Sequence, residues 1–199
     1  MPHLSGRLTT LRPMTREDLP LLHRWLNDPD VMQYWDGRDH PASFDRVETR
    51  FRKSIEGIDR EAHRYMIDLA SPDAPAGDDA PPDSAAPPKQ RTPIGLVQHG
   101  RIHPRAKNAQ IDLLIGDPSC RDSGYGTDAM KTFLGYLFGT LHLHRAWLTM
   151  RVSNAQAVRG AEKCGFVREG VLRQHDWLEG SLVDVVVYGM LASEWRAGG

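Results

Sequence analysis

An α/β fold built on one mixed sheet is what this chain predicts, and three observations predict it. Short alternating apolar segments of strand length recur along the 199 residues. Amphipathic stretches with helix-starting and helix-ending residues lie between them. After an early group of strands and helices, the second half runs β-α-β-α-β-β, with no internal repeat.

Residues 8–14 alternate and read as the first strand. Thr15 is placed to cap a helix, with Asp18 at its third position where a capping box usually has Glu. Leu19, Leu22, Trp25 and Leu26 then recur at helical spacing, which makes Trp25 a core residue, and Asn27-Asp28-Pro29 ends the helix. Ser43 caps a second helix in which Phe44, Val47, Phe51 and Ile55 form an apolar stripe. Residues 64–69 read as a strand with Tyr65, Ile67 and Leu69 on one face, and residues 94–103 as its hairpin partner.

Residues 71–93 differ in kind. They hold seven of the chain's 14 prolines, many alanines, and Asp73, Asp78, Asp79 and Asp83, with almost no large apolar side chain. Such a composition cannot bury enough surface to offset its ordering entropy, so it predicts a disordered loop inserted at the hairpin tip. Lengthening a loop costs only ~0.6 kcal/mol per doubling. Residues 1–199 are accordingly read as a single domain, a size that suits one core.

Residues 109–116 read as a strand and residues 128–138 as a helix reaching to about Gly139. Residues 145–152 alternate as a strand. Ser153 or Asn154 caps a helix running to Cys164, which Gly165 ends as a left-handed cap. Residues 166–172 and 182–191 are two more strands, joined by a turn at Glu179-Gly180.

Composition excludes several classes. With 25 basic and 26 acidic residues the chain lacks the basic excess of a general nucleic-acid binder. No stretch approaches 18 uninterrupted apolar residues, so no membrane span is expected. The first residues lack a signal peptide's apolar core. Cys120 and Cys164 form no metal or redox spacing and read as inert, which fits a reduced, cytoplasmic setting. His142 and His144 are read on one strand face, and His99 with His103 in or near another. Neither pair has a third ligand nearby, so no metal is expected.

The most informative stretch is Cys120-Arg121-Asp122-Ser123-Gly124-Tyr125-Gly126-Thr127. A strand, a glycine turn and a helix N-terminus in succession make a site for a phosphate or pyrophosphate. Gly124 to Ala129 formally fit the dinucleotide pattern G-x-G-x-x-A. Residues 116–123 separate those glycines from the strand, however, and no acid stands about 20 residues beyond them. No Lys-Ser/Thr pair makes a P-loop either.

Arg121-x-x-Gly124-x-Gly126 resembles the Q/R-x-x-G-x-G/A signature of the GNAT acyl-CoA N-acyltransferases. Residues 109–118 resemble that family's central strand and its exit. Ser153-Asn154-Ala155-Gln156-Ala157-Val158-Arg159 with Glu162-Lys163-Cys164-Gly165-Phe166 resembles its second motif, N-x-x-A…E-K-x-G-F. Glu169 to Arg173, Gly180 and Val183-Asp184-Val185 are similar to the RimJ/RimL-type branch, which acetylates amines including protein N-termini. His23 to Pro29, with Val31 and Tyr34-Trp35-Asp36-Gly37, is similar to aminoglycoside 6′-N-acetyltransferases.

The resemblance implies a GNAT-like fold, a mostly antiparallel central sheet flanked by helices, and an acetyl-CoA-dependent N-acetyltransferase without a metal. By the same resemblance, backbone N–H groups of Asp122, Ser123, Gly124, Tyr125, Gly126 and Thr127 hold the coenzyme A pyrophosphate, with Arg121 beside them. The pantetheine lies as a pseudo-strand along Leu113, Leu114, Ile115 and Gly116, and an N–H near Ile115 polarises the thioester carbonyl. Asn154, with Ala157 on the same helix, meets the pantetheine arm. Asp112 is the candidate base, and Tyr34, Trp35 and Asp36 shape the acceptor pocket. The tyrosine that many members use as general acid is replaced by Ala161, which leaves water or another tyrosine for that role.

The implied acceptor is a primary amine, on a protein N-terminus or a small polyamine-like molecule, with an aminoglycoside as the alternative. A non-catalytic acyl-CoA-binding module is the rival from another class. A homodimer stays open.

Overall fold

The computed structural model describes residues 3–35, 41–59, 62–70 and 91–195. Its eight strands form one sheet in the order β1-β2-β3-β4-β5-β6-β8-β7. They are β1 (Leu4–Ser5), β2 (Thr9–Pro13), β3 (Arg64–Leu69), β4 (Pro93–His99), β5 (Asn108–Ile115), β6 (Arg145–Arg151), β7 (Val167–Leu178) and β8 (Ser181–Leu191). Every pairing is antiparallel except β5 with β6, which is parallel. This is the mixed sheet the element order predicts, and the mostly antiparallel one the resemblance implies.

Helices cover both faces. On one lie α4 (Tyr125–Gly135) and α5 (Ala155–Cys164); on the other lie α1 (Leu19–Trp25) and α3 (Phe44–Ile55), with the short α2 (Pro29–Met32) beyond α1. β3 shows the consequence. Tyr65 and Ile67 pack toward α4, whereas Met66 between them packs toward α1 and α3, and all three are fully buried. A strand covered on both faces reads as a continuous apolar run, so the single buried face expected from Tyr65, Ile67 and Leu69 was half of the arrangement.

Local chemistry explains the helix starts. Thr15 and Asp18 form the expected capping box, although a 3-10 turn (Arg16–Asp18) precedes α1. Ser43 accepts the Arg46 N–H at 3.3 Å to cap α3. Val47 and Phe51 of its stripe are buried, while Phe44 stays exposed beside the His23 ring. Asp128, in the first turn of α4, accepts the N–H groups of Arg7, Leu8 and Thr9 at 3.1, 3.0 and 2.9 Å and the Thr9 hydroxyl at 2.7 Å. It thereby ties the β1–β2 turn to that helix.

A charged triad lies within the α1 side. Arg12, 4 % exposed, makes a two-pronged contact with Asp18 (2.8 and 2.7 Å) and donates its Nε to Asp68 at 2.7 Å. Arg12 and the Thr15 N–H hold the Asp18 carboxyl below the usual range, outweighing its burial. Burial pushes that of Asp68 up.

Several element bounds differ from expectation. α4 begins at Tyr125 rather than Asp128, and its last turn widens into a π turn (Tyr136–Thr140). His142 and His144 are not on a strand: β6 starts at Arg145, and His142 has a left-handed backbone with φ 50°. β4 ends at His99, so His103 lies in the following loop. β7 runs to Leu178 instead of residue 172. Pro93 opens β4, which removes it from the inserted loop, and Arg91 and Thr92 are described as well. The remainder of that loop, residues 71–90, and Asp36 lie outside the described residues.

Candidate functional site

β5 and β6 begin as neighbours and then part. Their ladder joins Asn108 to Arg145, Ala109 to Ala146 and Gln110 to Trp147, and stops there. The Gly116 N–H bonds to the Ile94 carbonyl on the β4 side at 2.9 Å. Alternation therefore turns the N–H and C=O of Leu113 and Ile115 the other way, into the gap. Arg121 confirms this direction, since its Nε reaches the Ile115 carbonyl from the gap at 3.4 Å. A cleft of about 400 Å³ fills the space between the diverging strands.

One end of the cleft is walled by the glycine turn. Asp117 accepts from Ser119 and shapes a 3-10 turn (Pro118–Cys120) that carries the chain away from β5. Asp122 and Gly124 then take left-handed backbones, φ 58° and 85°. A Cβ is strained in that conformation, which Asp tolerates better than most residues and Gly tolerates freely. Alternating handedness directs successive N–H groups to one side. The first helical bond of α4 is Asp128 N–H to Gly124 C=O, so the N–H groups of Tyr125, Gly126 and Thr127 have no intrahelical partner. Gly126 packs close on β5: a Cβ there would lie 3.5 and 3.6 Å from Ile115 and Leu113.

α5 forms the facing wall with Asn154, Gln156, Ala157, Arg159, Ala161, Lys163 and Cys164. Asn154 caps it by accepting the Ala157 N–H at 3.1 Å, so its Nδ2 is the group left for a ligand and the Ala157 N–H is already used. Gly165 ends the helix with φ 92° as expected. Burial pushes the Cys164 thiol up to about 11, in keeping with an inert cysteine. Cys120 and Cys164 are both free.

The other end is bounded by Asp30, Val31, Gln33, Tyr34 and Trp35 from α2 and its exit, by Asp112 on β5, and by Thr149 on β6. Asp112 accepts from the Gln98 side-chain amide at 3.0 Å. Buried Arg151 connects this end to the far strands. It donates to the Gln33 carbonyl and pairs with Asp176 of β7 at 2.5 Å.

Of the expected site residues, Asp112, Leu114, Ile115, Arg121, Asp122, Gly124, Gly126, Thr127, Asn154, Ala157, Tyr34 and Trp35 all line this one cleft. Three do not. A Cβ on Gly116 would lie 2.1 Å from the Trp25 ring, so Gly116 admits that buried indole against the strand end. The Ser123 hydroxyl turns back onto the Arg121 carbonyl at 3.1 Å. The Tyr125 ring packs on the core, leaving its backbone N–H as its contribution. The sequence reading missed Asp30, Thr149, Arg159 and Lys163. For the last two a signal was present, because Arg159 and Lys163 stand four apart on the helix that Asn154 caps. Among the described residues, no group of three or more His, Cys, Asp or Glu side chains is placed to hold a metal ion, and no helix is long and apolar enough to cross a membrane.

Comparison with known proteins agrees with this geometry. The family described as an acetyltransferase (GNAT) domain matches residues 8–167. A spermidine N(1)-acetyltransferase of Vibrio cholerae is 29% identical over 186 residues, 94% of each chain. The crystal structure of spermidine N-acetyltransferase from Vibrio cholerae in complex with CoA and spermine superposes with a TM-score of 0.77 at 28% identity, covering 94% of this chain and 97% of that one. An aminoglycoside N(6′)-acetyltransferase type 1 of Klebsiella pneumoniae is 24% identical over 184 residues, 86% of this chain and 80% of its own.

Proposed function

The chain belongs to the GNAT acetyltransferase family, and from that premise we propose that it moves the acetyl group of acetyl-CoA to a primary amine of a polyamine. The observation that carries this reading is the division of charge along the cleft. Arg121, Arg159, Lys163 and the open N–H groups of α4, outnumbering the acid Asp122 in the same turn, stand where a polyanionic donor would bind. Asp30 and Asp112 line the end where a cationic acceptor would enter. The Vibrio cholerae relatives act on spermidine and align over nearly their whole length, which supports a polyamine over an aminoglycoside or a protein N-terminus.

The residues divide the work. The turn from Asp122 to Thr127 binds the pyrophosphate through backbone N–H groups, and the helix dipole adds ~0.3–1 kcal/mol per exposed charge. Leu113 and Ile115 offer the pantetheine a strand edge, and the Ile115 N–H polarises the thioester carbonyl; a well-placed donor of this kind is worth ~3–4 kcal/mol. Asp112 takes a proton from the substrate ammonium. The freed amine nitrogen bonds to the carbonyl carbon, the carbon–sulfur bond breaks, and the proton the nitrogen sheds on becoming an amide is relayed to the thiolate through water admitted beside Ala161. Holding amine and thioester together contributes much of the remaining rate.

Release of CoA thiol with spermidine, spermine, an aminoglycoside and a peptide with a free N-terminus tests the reading. The polyamines are expected to give the highest kcat/KM. A higher value for the peptide or the aminoglycoside overturns the choice of acceptor. Acetyl-CoA binding with no thiol release from any amine supports the non-catalytic module instead.

A further inference from the structure

A polar chain crosses three strands on the α1 side of the sheet and ends at Asp112. Arg64 on β3, Gln98 on β4 and Asp112 on β5 are directly opposite one another in register. The Arg64 Nε donates to the Gln98 Oε1 at 2.9 Å, and the Gln98 Nε2 donates to an Asp112 carboxyl oxygen at 3.0 Å. Arg64 is fixed in turn by Asp59 at 2.6 Å and the Ser54 hydroxyl at 2.8 Å, with its guanidinium over the Phe51 ring.

The chemistry of the chain dictates which way the amide points. A guanidinium only donates, so the Gln98 oxygen must face Arg64 and its NH2 must face Asp112. An N–H aimed at a carboxyl oxygen restrains the rotation of the group. A neutral donor does this without cancelling the negative charge, as Lys or Arg in its place would.

We infer that Gln98 is a positioning residue for Asp112, holding the carboxylate turned toward the incoming ammonium. This rests on the reading of Asp112 as the base. Arg64 orients Gln98, so the hold on the cleft originates at the α3–β3 corner, where Ser54 and Asp59 grip Arg64.

Two substitutions separate positioning from mere support of the fold. Gln98→Met keeps the length of the side chain and removes both bonds. Gln98→Glu keeps an acceptor for Arg64 but sets a second carboxylate against Asp112. Both are expected to lower kcat/KM for spermidine by about tenfold or more, the worth of a hydrogen bond to a charged group, while KM for acetyl-CoA is unchanged. The orders should cross, with Gln98→Glu the more stable to heat and the less active. In an Asp112→Asn background the same substitutions should change kcat/KM by less than about twofold, because residues acting through one group are not additive. Activities that follow the melting temperatures, or losses that multiply with Asp112→Asn, overturn the inference. Wild-type turnover in Asp112→Asn overturns the base reading and this inference with it. An inactive Asp112→Asn beside an indifferent Gln98→Met overturns this inference alone.

Discussion

The two ends of the cleft are built on different principles. The end proposed for the donor is made largely of backbone: seven consecutive residues from Arg121 to Thr127, running into the first turn of α4, supply N–H groups, a bend and a dipole. The end proposed for the acceptor depends on side chains: Asp112 lines it, and Gln98, Arg151 and Asp176 brace it from three other strands. Main-chain recognition tolerates change in side chains so long as the path of the chain is kept. A constellation of side chains does not, because each member depends on the register of its neighbours. One donor can therefore be kept while the acceptor is varied.

Perturbing the two ends separately should give opposite kinetic signatures. The largest effect is expected from Asp112→Asn, which should lower kcat for spermidine by about 10²–10⁴-fold, the range for loss of a general base, with the acetyl-CoA dissociation constant unchanged. A parallel weakening of acetyl-CoA in titration calorimetry would dissolve the division. Next is Arg151→Ala. It releases Gln33 and Asp176 together and should raise KM for the amine by about tenfold, the equivalent of ~1.5 kcal/mol for a charged hydrogen bond, again sparing the donor. Gly124→Val is the converse test. Forcing a branched side chain into a left-handed turn costs about 1–2 kcal/mol and should raise KM for acetyl-CoA several-fold, with the amine KM little altered.

The smallest effect on turnover is expected at the far end of β4, where His99 lies in an aromatic cluster with Phe133 and His63. Its Nδ1 meets the Gly100 carbonyl at 2.7 Å and its Nε2 is buried with no hydrogen-bond partner among the described residues. Burial pushes it down to about 4, against an ordinary value of 6.5. The unfolded chain takes up this proton near pH 6.5, and the native fold resists it until about 4. The contribution is therefore complete above pH 6.5 and is lost as pH falls toward 4, a change on the order of 3 kcal/mol. Melting temperatures followed from pH 7 to pH 4 should show that decline, and His99→Phe should flatten it while leaving turnover near pH 7.5 unaltered.

The contrast between the ends also explains what could be read from the sequence. Strands such as residues 64–69 and caps such as Ser43 and Asn154 are local, and local chemistry announces them. The glycine turn is local too, so most of the residues at that end of the cleft were legible. β1 has two residues and shows no alternation. β7 was cut short at residue 172 because its register shifts between Arg168 and Gly170 and again between Leu172 and Asp176, which breaks the period of two that identifies a strand. The bond from Gln98 to Asp112 and the pairing of Arg151 with Asp176 span 14 and 25 residues. Strand register decides such pairs, and nothing in the residues taken singly encodes it.

Only three residue pairs join β5 to β6, and through them the two halves of the sheet. The edge of β5 beyond Gln110 is a place where the molecule can breathe, and a bound donor would act as the missing rung. Amide exchange at Leu113 and Ile115 should be fast in the free protein and slow once acetyl-CoA is added. A ligand that binds only the folded state adds about 2.7 kcal/mol of stability at a hundred times its dissociation constant. The protein's own lifetime would then rise and fall with the supply of activated acetyl groups, so that this short joint makes persistence of the fold a gauge of its donor.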